Sequence, residues 1–130
     1  MDDEVRILHD QLDLAFGLAA GASPAEIARR AVAGDEPRAG EAARLFSGWL
    51  GALGGDLVLT LGARGGLHLA GGMLAAMGAA FDRQRCLARF LAKGRFAGYL
   101  GDVPVRQIVH PAPALLGARR ALLDGSSADR

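Results

Sequence analysis

The side chains that could do chemistry in this chain are few: His9, His68, His110, Cys86 and scattered carboxylates, set among 19 glycines. The histidines and the cysteine lack the spacing of zinc ligands, so no metal site is predicted. A Cys/His nucleophilic pair stays open on composition alone, but Cys86, in DRQRCLARF, is expected to pack as a small hydrophobe. His9 falls on the surface of a first helix. His68 lies mid-strand between two leucines and is expected to be a buried or half-buried packing residue. His110 sits at the end of a strand and is the better ligand candidate. Asp56 interrupts an apolar helix face, where it pairs with Arg64 or another cation or stands exposed. No carboxylate pair shows acid–base spacing, and Ser23 reads as a helix cap. No catalytic residue is predicted.

More can be drawn from GGLHLAGGM, residues 65–73, where two glycine pairs enclose a short apolar strand. A glycine pair at a strand end marks a tight turn or a place where something approaches the backbone closely. Gly65-Gly66 suits a helix-to-strand turn. Gly71-Gly72 suits either a strand-to-helix turn or contact with a ligand, and the helix behind it would present free N–H groups.

These residues must be held by the elements around them. Apolar positions recur at helical spacing over 3–20, ending at Gly21. Ser23-Pro24-Ala25-Glu26 is a capping box with proline at the first helical position, opening a helix to about Ala33. Asp35 and Pro37 open the next helix. Its segment DLVLTL has strand propensity, yet Leu45, Trp49, Leu53, Leu57 and Leu61 recur every four residues. That continuity predicts one helix over about 37–61, with Gly54-Gly55 packed closely against a neighbour to offset the roughly 1 kcal/mol that a mid-helix glycine costs. A short buried strand follows over 66–70, then helices over 73–81, 82–92 and 94–100, with Lys93-Gly94-Arg95 as a solvated turn. A second strand covers 103–109, His110-Pro111-Ala112-Pro113 makes the turn, and a last helix runs from Pro113 to about Leu123.

Two strands joined by helices should lie parallel, with both carboxyl ends on one edge of the sheet. Ligands of open α/β sheets bind beyond that edge. A two-stranded parallel sheet is a poor independent unit, so the chain reads as a piece of a larger domain with an unpaired strand edge. The chain is of one-domain length, 51% of its residues are hydrophobic, and its formal net charge is +1. Acids and bases are interspersed, which excludes a clustered nucleic-acid footprint. A single cysteine fits a reducing cytoplasm, and Asp56, Arg64 and His68 interrupt the long apolar region too often for a membrane segment.

The blocks GDLVLTLGARGGLHLAGGM, KGRFAGYL and VPVRQIVHPAPALLGA resemble the C-terminal part of bacterial glucokinases, sugar kinases of the actin-like ATPase (RNase H-like) fold. The resemblance runs from about Ala25, through AEIARRAVAGD and EAARLFSGWLGALGGDL, to about Leu123. It implies a divergent N-terminal helix over 1–22, a glucokinase C-terminal-lobe-like region over 23–124 and a frayed tail over 125–130. It implies a helix-rich α/β portion built from strand–GG–helix and strand–HPAP–helix units. It places Gly71 and Gly72, with Ala70 and Met73 beside them, against the adenosine of ATP. It further implies Mg²⁺ with the nucleotide, transfer to the 6-hydroxyl of glucose, a cytoplasmic enzyme of glucose metabolism, and commonly a homodimer.

The family's Asp-x-Gly-Gly-Thr phosphate loop does not occur in this chain, and neither does its Asn-Asp pair, since the chain has no asparagine. Catalysis of phosphoryl transfer rests on positioning and charge stabilisation by such parts. The expectation is therefore a truncated chain, inactive alone, that meets glucose only if the missing lobe is supplied. The competing readings are a non-catalytic module that self-associates or pairs with another kinase chain, and an unrelated small α/β binding protein.

Overall fold

The computed structural model describes residues 23–125. The helix predicted over 3–20, with His9 on it, and the tail from 126 onward lie outside the described residues. Helix α1, Pro24–Ala33, is capped by Ser23, whose hydroxyl accepts from the Glu26 N–H at 3.2 Å. Only this half of the capping box forms. The Glu26 carboxylate turns instead to Arg29, at 2.6 and 2.9 Å, and to Arg30 at 2.9 Å.

Those guanidinium bonds, Arg29 first, hold the Glu26 carboxyl at about 2 against an ordinary 4.5. A carboxyl depressed on folding binds its proton more readily in the unfolded chain. Its stabilisation is therefore complete above about pH 4.5 and is lost as pH falls towards 2. Solvent screens a pair this exposed, so the effect is small. Melting curves should lose stability less steeply across that window in Glu26→Gln than in the parent. Parallel pH profiles would refute the assignment.

Helix α2, Pro37–Leu61, is the single long helix that the spacing predicts. Its N-cap is Glu36 rather than Asp35, and the Glu36 side chain reaches back to Arg30 at 3.1 Å instead of capping. The leucine stripe that reveals the helix does not pack it. Leu53, Leu57 and Leu61 are exposed, and the buried positions are Ala39, Ala42, Ala43, Ser47, Gly48, Gly51, Gly54, Gly55 and Val58. This small-residue face lets α4, Arg83–Leu91, lie almost backbone to backbone against α2. A Cβ on Gly55 would stand 2.7 Å from the Phe90 carbonyl oxygen. The close packing expected around Gly54-Gly55 is present.

Ser47, fully buried on that face, donates to the Ala43 carbonyl at 2.7 Å and accepts from the Asp82 N–H at 3.0 Å. Asp82 in turn caps α4, accepting from the Arg85 N–H at 2.8 Å. One hydroxyl thus ties the middle of α2 to the start of α4, satisfying polar groups that burial would otherwise leave unpaired. Cys86 packs in the core as expected, and burial pushes its thiol pKa up.

Strands β1 (Leu67–Leu69) and β2 (Val105–Gln107) pair in parallel, Leu67 opposite Val105 and Leu69 opposite Gln107. Both are shorter than predicted, and β1 is not a buried strand. Leu69 is buried, Leu67 half-buried, and His68 exposed, which corrects the expectation of a packing histidine. Side chains alternate across a strand, and only the leucine face of β1 meets the helices.

Between the strands lie α3 (Gly72–Met77), a 3₁₀ turn over Gly78–Ala80, α4, a second 3₁₀ turn over Gly94–Phe96 and α5 (Ala97–Gly101). Both predicted helices flanking α4 therefore tighten into 3₁₀ at one end. Two apolar clusters result: Ala28, Ala43, Leu69, Leu74, Met77, Phe81 and Cys86 in one, and Val58, Phe90, Leu100 and Val103 in the other. Helix α6, Pro113–Gly125, follows β2 and buries none of its residues.

Lys93 is not part of a solvated turn. Its side chain is only 17% exposed, lies over Gly55 and pairs with Asp56 at 2.6 Å. Asp56 thus finds a cation other than Arg64, whose guanidinium sits 4.8 Å from the centre of the Tyr99 ring.

Candidate functional site

The carboxyl ends of β1 and β2 share an edge, and the Ile108 N–H extends the pairing by donating to the Leu69 carbonyl at 2.8 Å. Beyond that edge opens a cavity of about 400 Å³. Gly71, Gly72, Leu74, Ala75 and Gly78 form one wall, and the run from Gln107 to Pro111, with Pro113, forms the other. Among the described residues Arg83 is the single charged residue of the lining, and no carboxylate takes part.

The two predicted glycines line this cavity for different reasons. Gly71 has φ +133°, a conformation that side chains resist, so the turn itself requires glycine. Gly72 has no such constraint, and a Cβ there would meet nothing within 4 Å. Neither backbone conformation nor packing in this chain explains the absence of a side chain at Gly72; it leaves the backbone bare towards open space. Ala70 and Met73 stand beside the cavity rather than in its lining, and both are exposed.

His110 lies on the opposite wall from the glycines. Its Nδ1 accepts from the Ala112 N–H at 3.0 Å, which assigns the proton of the neutral ring to Nε2. The imidazole therefore offers one donor at a fixed position. Gln107 and Arg83 join this lining without having been singled out in the sequence. Gln107 was findable, as the last residue of a strand whose end marks the ligand edge. Arg83 carries no such signal, since only the packing of α4 brings it there. Among the described residues no three of His, Cys, Asp and Glu come together as metal ligands. None of the described helices is long and apolar enough to cross a membrane.

A parallel strand pair opening at its carboxyl ends onto a glycine-lined cavity, with helices packed on its leucine face, defines a helix-rich α/β protein. The glucokinase family model matches residues 5–124. The chain belongs to the glucokinase family. It is 45% identical over 120 residues to a glucokinase of Aromatoleum aromaticum, covering 88% of this chain and 35% of that protein. It is 41% identical to the glucokinase of Chromobacterium violaceum, covering 81% of this chain and 30% of that protein. Among solved structures it is similar to a glucokinase from an Antarctic psychrotroph, with a TM-score of 0.69 and 34% identity over 82% of this chain and 33% of that one. The chain thus spans about a third of the length of these relatives.

Proposed function

We propose that this chain supplies the adenosine side of the ATP site of a glucose kinase of actin-like ATPase fold, a cytoplasmic enzyme of glucose metabolism, and that the 130 residues carry no phosphoryl transfer alone. The observation that carries the reading is Gly72, bare towards the cavity with no internal reason to be. A flat purine, or the face of a ribose, can lie against Gly71-Gly72 where a Cβ would hold it off. The Nε2–H of His110 and the amide of Gln107 offer hydrogen bonds from the facing wall, and Arg83 offers a positive charge. ATP, when bound, brings the phosphoryl group destined for the 6-hydroxyl of glucose. Among the described residues the cavity lining has no carboxylate, so these residues do not fit the Mg²⁺ that accompanies ATP.

The test is calorimetric titration of the purified chain with AMP and ATP. Binding of both is expected, weakened about 5- to 150-fold in Gly72→Val, since a clash of about 1–3 kcal/mol is worth that much. Equal affinity in the variant sinks the adenosine assignment. A coupled assay for glucose 6-phosphate should show no turnover with ATP and Mg²⁺. Turnover abolished by Gly72→Val would keep the site and overturn the claim of inactivity.

A second reading, a module that self-associates or pairs with another kinase chain, is favoured by the exposed leucines of α2 and of α6. Sedimentation of the same preparation decides it: a monomer at every concentration, with or without a partner kinase chain, dismisses that reading.

A further inference from the structure

Helix α4 carries two guanidinium groups one turn apart, Arg85 and Arg89, towards the flank of α2. They meet α2 at Gly48, where a Cβ would stand 3.1 Å from Arg85 Nε and 3.5 Å from Arg89 Cγ. With Leu45 and Trp49 they enclose a cleft of about 190 Å³. It shares no residue with the glycine-lined cavity.

The charges in this cleft are unbalanced. The nitrogen Nε of Arg85 is sealed from solvent and has no hydrogen-bond partner. No ion pair among the described residues uses Arg85 or Arg89. Glu41 feels the charge of Arg85 but makes no contact with it, accepting instead from Arg44 at 2.9 and 3.1 Å, and Asp82 caps α4. Like charges one helical turn apart repel, and a buried donor without an acceptor carries a desolvation penalty. A single oxyanion between the two side chains relieves the repulsion, and it relieves the orphaned donor once the Arg85 guanidinium turns Nε off Gly48 towards it. Guanidinium forks match phosphate oxygens better than any other side chain does. At about 30 Å³ per water, the cleft has the room of roughly six waters, enough for a phosphate group.

We propose that the Arg85–Arg89–Trp49 cleft is a phosphate-binding site, independent of the nucleotide cavity. The phosphate comes either as the free ion or as a sugar phosphate ester. Trp49 is the only tryptophan in the chain, so its fluorescence reports on this cleft alone. Titration with inorganic phosphate and with glucose 6-phosphate, at ionic strength held constant with chloride, should give a saturable change in emission. Neutral glucose should give none. The source of the group is the compound that saturates first. Arg85→Met should raise the midpoint about tenfold, the worth of one charge-assisted bond. A change that never saturates, or a midpoint untouched in the Arg85→Met/Arg89→Met double variant, overturns the proposal. Should the variants fail to fold, the Nε–H resonance of Arg85 in the unmodified chain decides. It must shift with phosphate along the same curve as the fluorescence, and a fixed resonance overturns the proposal.

Discussion

Adding one methyl group at Gly51 should destabilise the chain by about 3 kcal/mol or more, and lower its melting temperature by roughly 10 °C. A Cβ there would lie 2.7 Å from the carbonyl carbon of Cys86 and closer still to its oxygen. The obstacle is the backbone of α4, which cannot rotate aside as a side chain can. Gly51→Ala would gain up to about 1 kcal/mol of helix propensity, and the clash outweighs it. Gly40 separates the two effects. It lies in the same helix, exposed, with nothing within 4 Å of a built Cβ. Gly40→Ala should therefore stabilise by about 0.5–1 kcal/mol. Thermal melts of the two variants should move in opposite directions. A Gly51→Ala protein that melts with the parent would mean that α2 and α4 are not in near-backbone contact.

Phe90→Ala should cost about 3–5 kcal/mol, as large-to-small changes at well-packed aromatic sites do. Phe90 is 1% exposed and fills the cluster of Val58, Leu100 and Val103, which joins α2 and α4 to the segment leading into β2. Small domains have only about 5–15 kcal/mol in total, so the loss would take about a fifth or more of the margin. Leu87, on the same helix but 47% exposed, provides the comparison. Urea denaturation should show a large drop in midpoint for Phe90→Ala and a shift under about 1 kcal/mol for Leu87→Ala. Similar shifts for both would show that the second cluster is not a packed core.

Much of this architecture is legible in the sequence, for identifiable reasons. Ser23-Pro24 and Gly34 punctuate α1, and the four-residue recurrence from Leu45 to Leu61 outweighs the strand propensity of DLVLTL. The facing of α2 was not legible. A leucine stripe ordinarily marks the buried side of a helix, whereas here glycine, alanine and serine are buried. Close approach of two backbones rewards small residues over large ones. His68 misled for a related reason. An apolar–His–apolar triplet looks buried in a strand, but among the described residues nothing covers the His68 side of this sheet. The glycine-lined edge was readable because chain order alone puts Gly71-Gly72 and His110 at the same end of the sheet. Arg83, and the pairing of Arg85 with Arg89 across Gly48, arise only from how α4 docks on α2, which no local spacing encodes.

The pairing of Leu67 with Val105 closes a loop of roughly 40 residues, and closing a loop of that length carries a large entropic penalty. Strands of three residues each, joined by a few hydrogen bonds worth about 1 kcal/mol apiece, leave little margin over it. Leu67 and Val105 both pack against the two apolar clusters to which α2 and α4 contribute, so the helices help to hold the strands together. The order of the carboxyl-end edge therefore depends in part on the helix pair. A change that loosens α2 from α4, far from Gly72 and His110, releases the two walls of the cavity from each other without altering an atom in either.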